Sequence, residues 1–488
     1  MVSKKRMLKV LDKDDIEAVH AASLKVLNTT GVLVNSEEAL GLLAETGYEV
    51  DRASRIVRMP EALIDEAVKS CHRNFRWYAR NKRYTVDVVD GRTKLGPGSQ
   101  CLYFIEPSTG SIRPATLADG AVACRLLDAL ETSSLGFIPI YPHDVPEDAM
   151  SVLMWATSLA HSSKLQYGCS GDPKEFELML RIAELILGDR EKFRKNSLFP
   201  GYIDPVSPLG HDRGMTETIL RHMEWDSPVF VTVMALAGGT APASLAGLLV
   251  QQNAEVLSSI AIAHCVSKRP KIIYGSVSCP LDMRSGIPAT GSPEFSLIGV
   301  GAIQMAKHYG LPSNMGVQSD SKTIDAQTTY EKTIAATMAI MAGADFSELF
   351  LGSTEAFNAW SPVQAVIDDE VAANVFRIAE GIEVNEETLS TEVIGKTGPM
   401  GNYLKQGDTL RQFRRQHHQA LLSDRGTRQQ WSSTGSLDAN SRARERARRL
   451  LETHVPEPLT SEVRNGLNGL IGEVTREFSM DSIEKLVS

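Results

Sequence analysis

Hydrophobic and polar positions along the chain change their period three times. In residues 1–75, apolar side chains recur at helical spacing through Asp15–Asn28 and Ser36–Thr46, and Pro60–Cys71 opens with a proline, a residue suited to a helix's first turn. This predicts a helical N-terminal cap. Through 76–115 short apolar runs alternate with the turn sequences Asp90-Gly91, Gly96-Pro97-Gly98 and Ser108-Thr109-Gly110, which predicts a small β-hairpin region.

From 116 to 385 the pattern alternates strand with helix. Strand-like runs fall at Leu135–Tyr141, Leu165–Ser170, Ser197–Ile203, Val229–Leu236, Lys271–Val277, Ser313–Gln318 and Phe346–Gly352. Helical runs fall between and after them at Asp148–His161, Lys174–Leu187, Asp212–Glu224, Ala243–Val266, Ser292–His308, Asp325–Ala342 and Pro362–Ala379. Such alternation predicts parallel strands joined by crossover helices, so the fold class is α/β, a TIM (β/α)8 barrel over 116–385. A doubly wound open sheet is the alternative, and the pattern places no eighth strand. Residues 386–488 open with the glycine-rich Thr397–Gly401 and continue as charged helix, a helical C-terminal extension. Its basic run SRARERARRLLETH is either a contact for an acidic partner or a solvated face with ion pairs at helical spacing.

Composition narrows the class. The 488 residues are 42% hydrophobic and 23% charged, as in a soluble globular enzyme. No stretch offers the roughly 18 uncharged apolar residues of a spanning helix, and the start lacks a signal peptide's apolar core. The cytoplasm is the expected location. Cys71, Cys101, Cys124, Cys169, Cys265 and Cys279 show no CxxC or metal-ligand spacing, so free thiols are expected rather than disulfides or zinc. The net charge of −9 argues against nucleic acid and tolerates a cationic substrate.

In a barrel, chemistry belongs at the carboxyl ends of the strands. There the sequence sets Tyr141 and His143; Cys169, Ser170 and Asp172; Tyr202, Asp204 and Ser207; Gly238–Thr240; Tyr274 and Ser276; Gln318, Asp320 and Lys322; and Glu355, Phe357 and Trp360. HExxH, Walker and GxSxG motifs are missing. The loop Ala237–Pro242 reads either as an anion site with Thr240 capping the next helix or as plain turn chemistry. His264 reads as a satisfied core histidine or a ligand. Gln327 and Glu331, at i and i+4, share a helix face near the barrel mouth, and a buried carboxylate with aromatic faces would suit a quaternary ammonium.

The succession TAPASLAGLLVQQNAEVLSSIAIAH, YGSVSCPLDMRSGIPATGSPE, QMAKHYGLPSNMGVQSDSKTIDAQTTYEK and AGAD resembles the trimethylamine methyltransferase superfamily of corrinoid-dependent enzymes. So do LGPGSQCLYFIEPSTGSIRPATLAD and GKTGPMGNYLKQGDTLRQFRRQHHQALLSDR. The likeness implies transfer of a methyl group from a methylated amine to Co(I) of a corrinoid (cobalamin) held by a separate corrinoid-binding protein, with none bound tightly here. The type enzyme carries pyrrolysine. This chain has only standard residues, so it resembles the branch acting on quaternary amines such as glycine betaine. On that account Gln318, Asp320 and Glu331 are the expected catalytic residues, Glu331 holding the ammonium. Tyr274, Lys322, Tyr330, Phe357, Tyr141, Tyr202 and His264 are the expected substrate contacts, Lys322 meeting a substrate carboxylate. No metal ligand, nucleic acid or membrane is expected, and a homo-oligomer is. The alternatives are another barrel enzyme or a non-catalytic methylammonium binder on the same scaffold.

Overall fold

The computed structural model describes residues 8–98, 100–166 and 172–486. Six strands, Lys94–Pro97, Phe346–Leu351, Ser313–Gly316, Ile272–Ser276, Val229–Val233 and Gly201–Ile203, lie side by side in that order. Every neighbouring pair is parallel. Parallel bridges from Leu95 to Ser133 and from Leu135 to Leu165 carry the series two positions further. The expected run Leu165–Ser170 otherwise lies largely outside the described residues, as do Tyr167 and Cys169. The protein is therefore α/β, with a curled parallel sheet.

The curl can be measured. Tyr202 and Glu348 sit on strands separated by three others, four spacings of about 4.8 Å, or roughly 19 Å across a flat sheet. Yet the Tyr202 hydroxyl reaches Glu348 Oε1 at 2.5 Å. Only a sheet wrapped around a hollow allows it. Trp77 fills the hollow at the strands' amino ends, with ring centroids 5.7 Å from Phe230 and 5.5 Å from Phe346. It arrives on the short hairpin of Arg76–Trp77 with Val86–Asp87. A Cβ on Gly275 would stand 2.3 Å from Thr232 Oγ1, so a tight inner wall requires glycine there.

One sequence expectation is corrected here. The Lys94–Pro97 strand, parallel to Phe346–Leu351, belongs to the sheet although it lies in the stretch read as hairpins. The parallel sheet starts before residue 116, and this strand was missed because its run, KLGP, is short and half glycine and proline. The hairpin reading holds for Tyr103–Ile105 with Ile112–Pro114.

Crossover helices form where expected, and most have a side-chain cap. Asp172, Asp212, Ser292, Asp325 and Ser361 each accept backbone N–H bonds at the start of Pro173–Leu187, Arg213–Glu224, Pro293–Tyr309, Ala326–Ala342 and Pro362–Glu380, a cap worth about 1 kcal/mol. Met150–His161 and Leu245–Val266 are exceptions, and Ala149 precedes the first without a side-chain cap. Ser244 precedes Leu245–Val266 without a side-chain cap, and Thr240 Oγ1 instead accepts Leu236 N, so Thr240 is no cap. By length and composition Leu245–Val266 is apolar enough to cross a membrane, but 78% of its apolar window is buried inside the protein. It is the core helix beneath the cap helices Lys13–Thr29, Glu37–Thr46 and Glu61–Ser70, which pack on it. Three short strands, Val32–Val34, Glu49–Asp51 and Ile56–Arg58, join the cap to Gly210–His211. At the other terminus Ala443, Ala447, Leu467, Leu470 and Ile471 are buried in the largest apolar cluster.

Candidate active site

The inner face of the sheet carries alternate residues of each strand, because side chains in a strand change sides at every residue. On Phe346–Leu351 these begin with Phe346, in the plug, and Glu348 above it. A bulge follows: the pairing shifts between Ser347 and Leu351, and Leu349 takes φ +58°, a left-handed conformation that costs a residue with a Cβ about 1–2 kcal/mol. The Gln318 amide holds it, Nε2 donating to Leu349 O and Ser353 Oγ, both at 2.9 Å. Gln318 is buried and bonded throughout, so it positions the strand that carries Glu348.

Glu348 Oε1 accepts from the Tyr202 hydroxyl at 2.5 Å and from Asn314 Nδ2 at 2.6 Å. Loss of hydration pushes its carboxyl up to about 7, against the pull of these two bonds. Two residues beyond Tyr202, Asp204 exposes its side chain, yet lost hydration first and the Glu348 charge second push it up to about 8. A side chain that lines a hollow walled closely by protein has both properties. Asn314 Oδ1 is buried without a hydrogen-bond partner. Glu348 and Asn314 thus stand together on the inner wall, with the Asp204 carboxyl near enough for the Glu348 charge to raise it.

The rim is apolar. Val277, Cys279, Phe295 and Leu349 pack together, with Met234, Leu236 and Phe357 half-buried against them. Phe357 closes a turn in which Glu355, Ala356 and Phe357 all have φ between +52° and +58°. Three consecutive non-glycine residues in that region store strain, held here by Glu355 N and Ala356 N donating to Ser321 O and Ser319 O. Val206, Met283 and Ile287 are exposed on neighbouring loops.

Most of the expected site residues do not converge. Tyr274 faces outward: its hydroxyl donates to Asn253 Oδ1 at 3.1 Å and its ring stacks on Tyr309. It is part of the sheet-to-helix core, because a one-residue step in a strand reverses its side. Glu331 is spent on its own loop, accepting from Ser319 Oγ at 2.6 Å, Asp320 N at 2.9 Å and Gln327 Nε2 at 2.9 Å; a Cβ on Gly291 would collide with its carboxylate. Asp320 accepts from Thr290 N, Thr290 Oγ1 and Gly291 N. Lys322 is exposed and donates to Asp320 O at 2.7 Å within its own loop. Tyr330 is 55% exposed beside Asp438 and Asn440. His264 bonds Ser70 Oγ under the cap, and burial pushes its pKa down. Tyr141 is half-buried against His143. Trp360 is buried, donating to Leu351 O. Of the expected contacts, Tyr202 and Phe357 face the hollow and its rim.

Asp204 stood among the strand-end residues without a role, and Glu348 and Asn314 went unnoticed. A signal existed: Glu348 is the only charge in the strand FSELFL, and an acid in a strand buried on both faces must be bonded or functional. Among the described residues no group of three His, Cys, Asp or Glu side chains is placed to hold a metal.

With this geometry in view, comparison with known proteins adds lineage. Residues 1–479 match the family model described as trimethylamine methyltransferase (MTTB). The chain is 31% identical over 475 residues to the trimethylamine methyltransferase MttB of Desulfitobacterium hafniense, covering 96% of this chain and 94% of that one. It is 30% identical over 470 residues to a glycine betaine methyltransferase of the same species, covering 96% and 97%. Among solved structures it is similar to the Methanosarcina barkeri monomethylamine methyltransferase MtmB, with a TM-score of 0.51 at 15% identity over 93% of this chain and 90% of that one, a likeness of fold alone.

Proposed function

The chain belongs to the trimethylamine methyltransferase family, and from that premise we propose that it takes a methyl group from a quaternary amine and passes it to Co(I) of a corrinoid carried by a separate protein. The observation that carries this reading is Glu348 on the inner wall of the hollow, with Asp204 close enough to feel its charge. Two carboxyl groups in a poorly hydrated site hold their protons up to about 7 and about 8, and a bound cation favours their ionised form. A quaternary nitrogen leaves as a neutral amine, keeping the carbon–nitrogen bonding pair, so no side chain need donate or remove a proton on the substrate. The standard residues throughout the sequence support the quaternary-amine branch.

The corrinoid is the methyl acceptor and supplies the nucleophile. This chain's residues hold the cation, exclude water and fix which methyl faces the opening. Asp204 and Glu348 ionise against the cation, Tyr202 and Asn314 hold Glu348 in place, and Phe357 with Met234 and Leu236 forms the apolar wall. The exposed Val206, Met283 and Ile287 give the partner an apolar collar, which suits the face of a large macrocycle. We further propose that the curled sheet closes as a (β/α)8 barrel, the bridged positions at Ser133–Leu135 and Leu165 supplying its remaining two strands. An acid pair would also serve a hydrolase; family membership favours methyl transfer.

The homo-oligomer is proposed on separate grounds. Helical segments Glu386–Leu389, Thr391–Thr397, Tyr403–Lys405 and Gly407–Gln416 bury no residue, and Ile382, Val384, Met400, Leu404 and Phe413 are exposed. So many exposed apolar side chains in one arm mark a contact surface. A cytoplasmic location is proposed from the five described cysteines, all free, which suit a reducing compartment.

The test is incubation with reduced cobalamin and a panel of quaternary amines and trimethylamine, followed by the cobalt absorption spectrum. Methylation of cobalt by a quaternary amine is expected. Turnover with trimethylamine alone would overturn the reading.

A further inference from the structure

Glu255 is 0% exposed on the core helix Leu245–Val266. Burial pushes its pKa up, and the groups that pull it back down are hydrogen-bond donors, Leu209 N, Ser207 and Gln251, with no cation among them. A carboxyl sunk in a core without a cation is costly. It persists where its hydrogen bonds serve the structure around it.

Those bonds run to the carboxyl ends of the strands. Oε2 accepts from Ser207 Oγ at 2.7 Å and Oε1 from Leu209 N at 2.9 Å, both in the loop that follows Gly201–Ile203 and carries Asp204 and the exposed Val206. Oε1 also accepts from Gln251 Nε2 at 2.9 Å, and the same Nε2 donates to Thr240 O at 2.8 Å. Gln251 and Glu255, four residues apart on one helix face, thus tie the loops after two adjacent strands to one post. The cap meets the first of these loops on its far side, where Leu33 pairs with Gly210 and Val34 with His211. His211 has a further anchor in Ser258 Oγ at 2.8 Å. Nearer to Asp204 the backbone has fewer donors, since Pro205 and Pro208 lack an N–H. There the Val206–Gly210 bridge and the Ser207 bond to Glu255 hold the chain.

We propose that Glu255 is a positioning residue for the methyl transfer, acting through Ser207 and Leu209 to fix the loop that sets Asp204 beside Glu348. This rests on the methyl-transfer reading and adds a residue to it. The three donors need an acceptor rather than a charge. In Glu255→Gln the amide oxygen accepts from Leu209 N and Gln251 Nε2, while the amide N–H donates to Ser207 Oγ, whose hydroxyl rotates to suit. Glu255→Ala strands all three donors and frees the loop. A small misplacement of a group that meets the substrate is then felt in the reaction.

Cobalt methylation tests it, comparing the full-length wild type with Glu255→Ala, Glu255→Gln and Ser207→Ala, with reduced cobalamin, the quaternary amine that the wild type turns over best, and a thermal melt of each variant. Glu255→Ala is expected to raise the amine KM about tenfold or more with kcat nearly kept, since a loosened Asp204 weakens binding of the cation. Glu255→Gln is expected to bring KM back to within about threefold of the wild type, and Ser207→Ala to raise it several-fold. A core role without positioning gives the opposite split, kcat falling with the folded fraction at unchanged KM, and that result overturns the proposal. So does a Glu255→Gln variant as impaired as Glu255→Ala. If Glu255→Ala does not fold, Ser207→Ala decides, and an unchanged KM there overturns the proposal. Wild-type protein that methylates cobalt with no quaternary amine removes the methyl-transfer reading and this proposal with it. Wild-type turnover with a KM indifferent to all three variants removes this proposal alone.

Discussion

The Tyr202 hydroxyl donates to Glu348 Oε1 at 2.5 Å across the hollow of the curled sheet, tying its Gly201–Ile203 edge to a strand four positions away. Removing the donor leaves Glu348 less well solvated and raises its pKa further. Tyr202→Phe is therefore expected to lower affinity for a quaternary ammonium several-fold at pH 7 and to shift the pH at which binding saturates upward. Glu348→Gln is expected to cost tenfold or more and to flatten that pH dependence. Titration calorimetry between pH 6 and 9 checks both, and an unchanged pH profile in Tyr202→Phe would contradict the coupling.

Stability should carry the same signature. Folding raises Glu348 to about 7 and Asp204 to about 8, whereas unfolded carboxyls ionise near 4. The folded state holds these protons longer than the unfolded chain, so stability falls as pH rises from about 4 to about 8 and levels off above. For the buried Glu348 the loss is on the order of 3 kcal/mol. Urea denaturation at pH 5 and pH 8.5 is expected to show a smaller difference in Glu348→Gln than in the wild type.

Behind the Glu348 strand, Lys332 and Asp368 form an ion pair at 2.7 Å with both side chains 0% exposed. Lys332 also donates to Phe350 O at 2.6 Å, and Asp368 accepts from Gly352 N and Gln364 Nε2, so the pair anchors the strand's end to two helices. Lys332→Met leaves a buried, unpaired carboxylate and is expected to cost about 3–5 kcal/mol. The double variant Lys332→Met with Asp368→Asn should recover part of that loss, as denaturation midpoints will show.

Tyr274 distinguishes a core contact from a substrate contact. Tyr274→Phe removes its bond to Asn253 and is expected to lower stability by about 1 kcal/mol while leaving KM unchanged. A large rise in KM would return Tyr274 to the site.

The arm 381–421 gives a prediction about assembly. Leu404→Glu combined with Phe413→Glu places charge on its exposed apolar face and is expected to shift the protein to a smaller species in sedimentation velocity, with the thermal melt showing whether the fold survives.

The helices and strands were legible because their periodicity is local: a 3.6-residue repeat or a buried apolar run needs only neighbours. Lys94–Pro97 escaped because glycine and proline made a strand look like a turn. The site was legible at the level of strand ends, where Tyr202, Asp204 and Phe357 were already named. Glu331 shows why the rest was not: a polar residue near a mouth looks the same in sequence whether it faces the hollow or ties down its loop.

The residue pattern alone determined alternating strand and helix and the family likeness, since each is written in short-range spacing or in ordered blocks of sequence. Tertiary structure alone decided which acids share a hollow. Glu348 and Tyr202 lie 146 residues apart, and only the curl of the sheet, with the one-residue alternation that turns Tyr274 outward, brings the first pair together and sends the third side chain away.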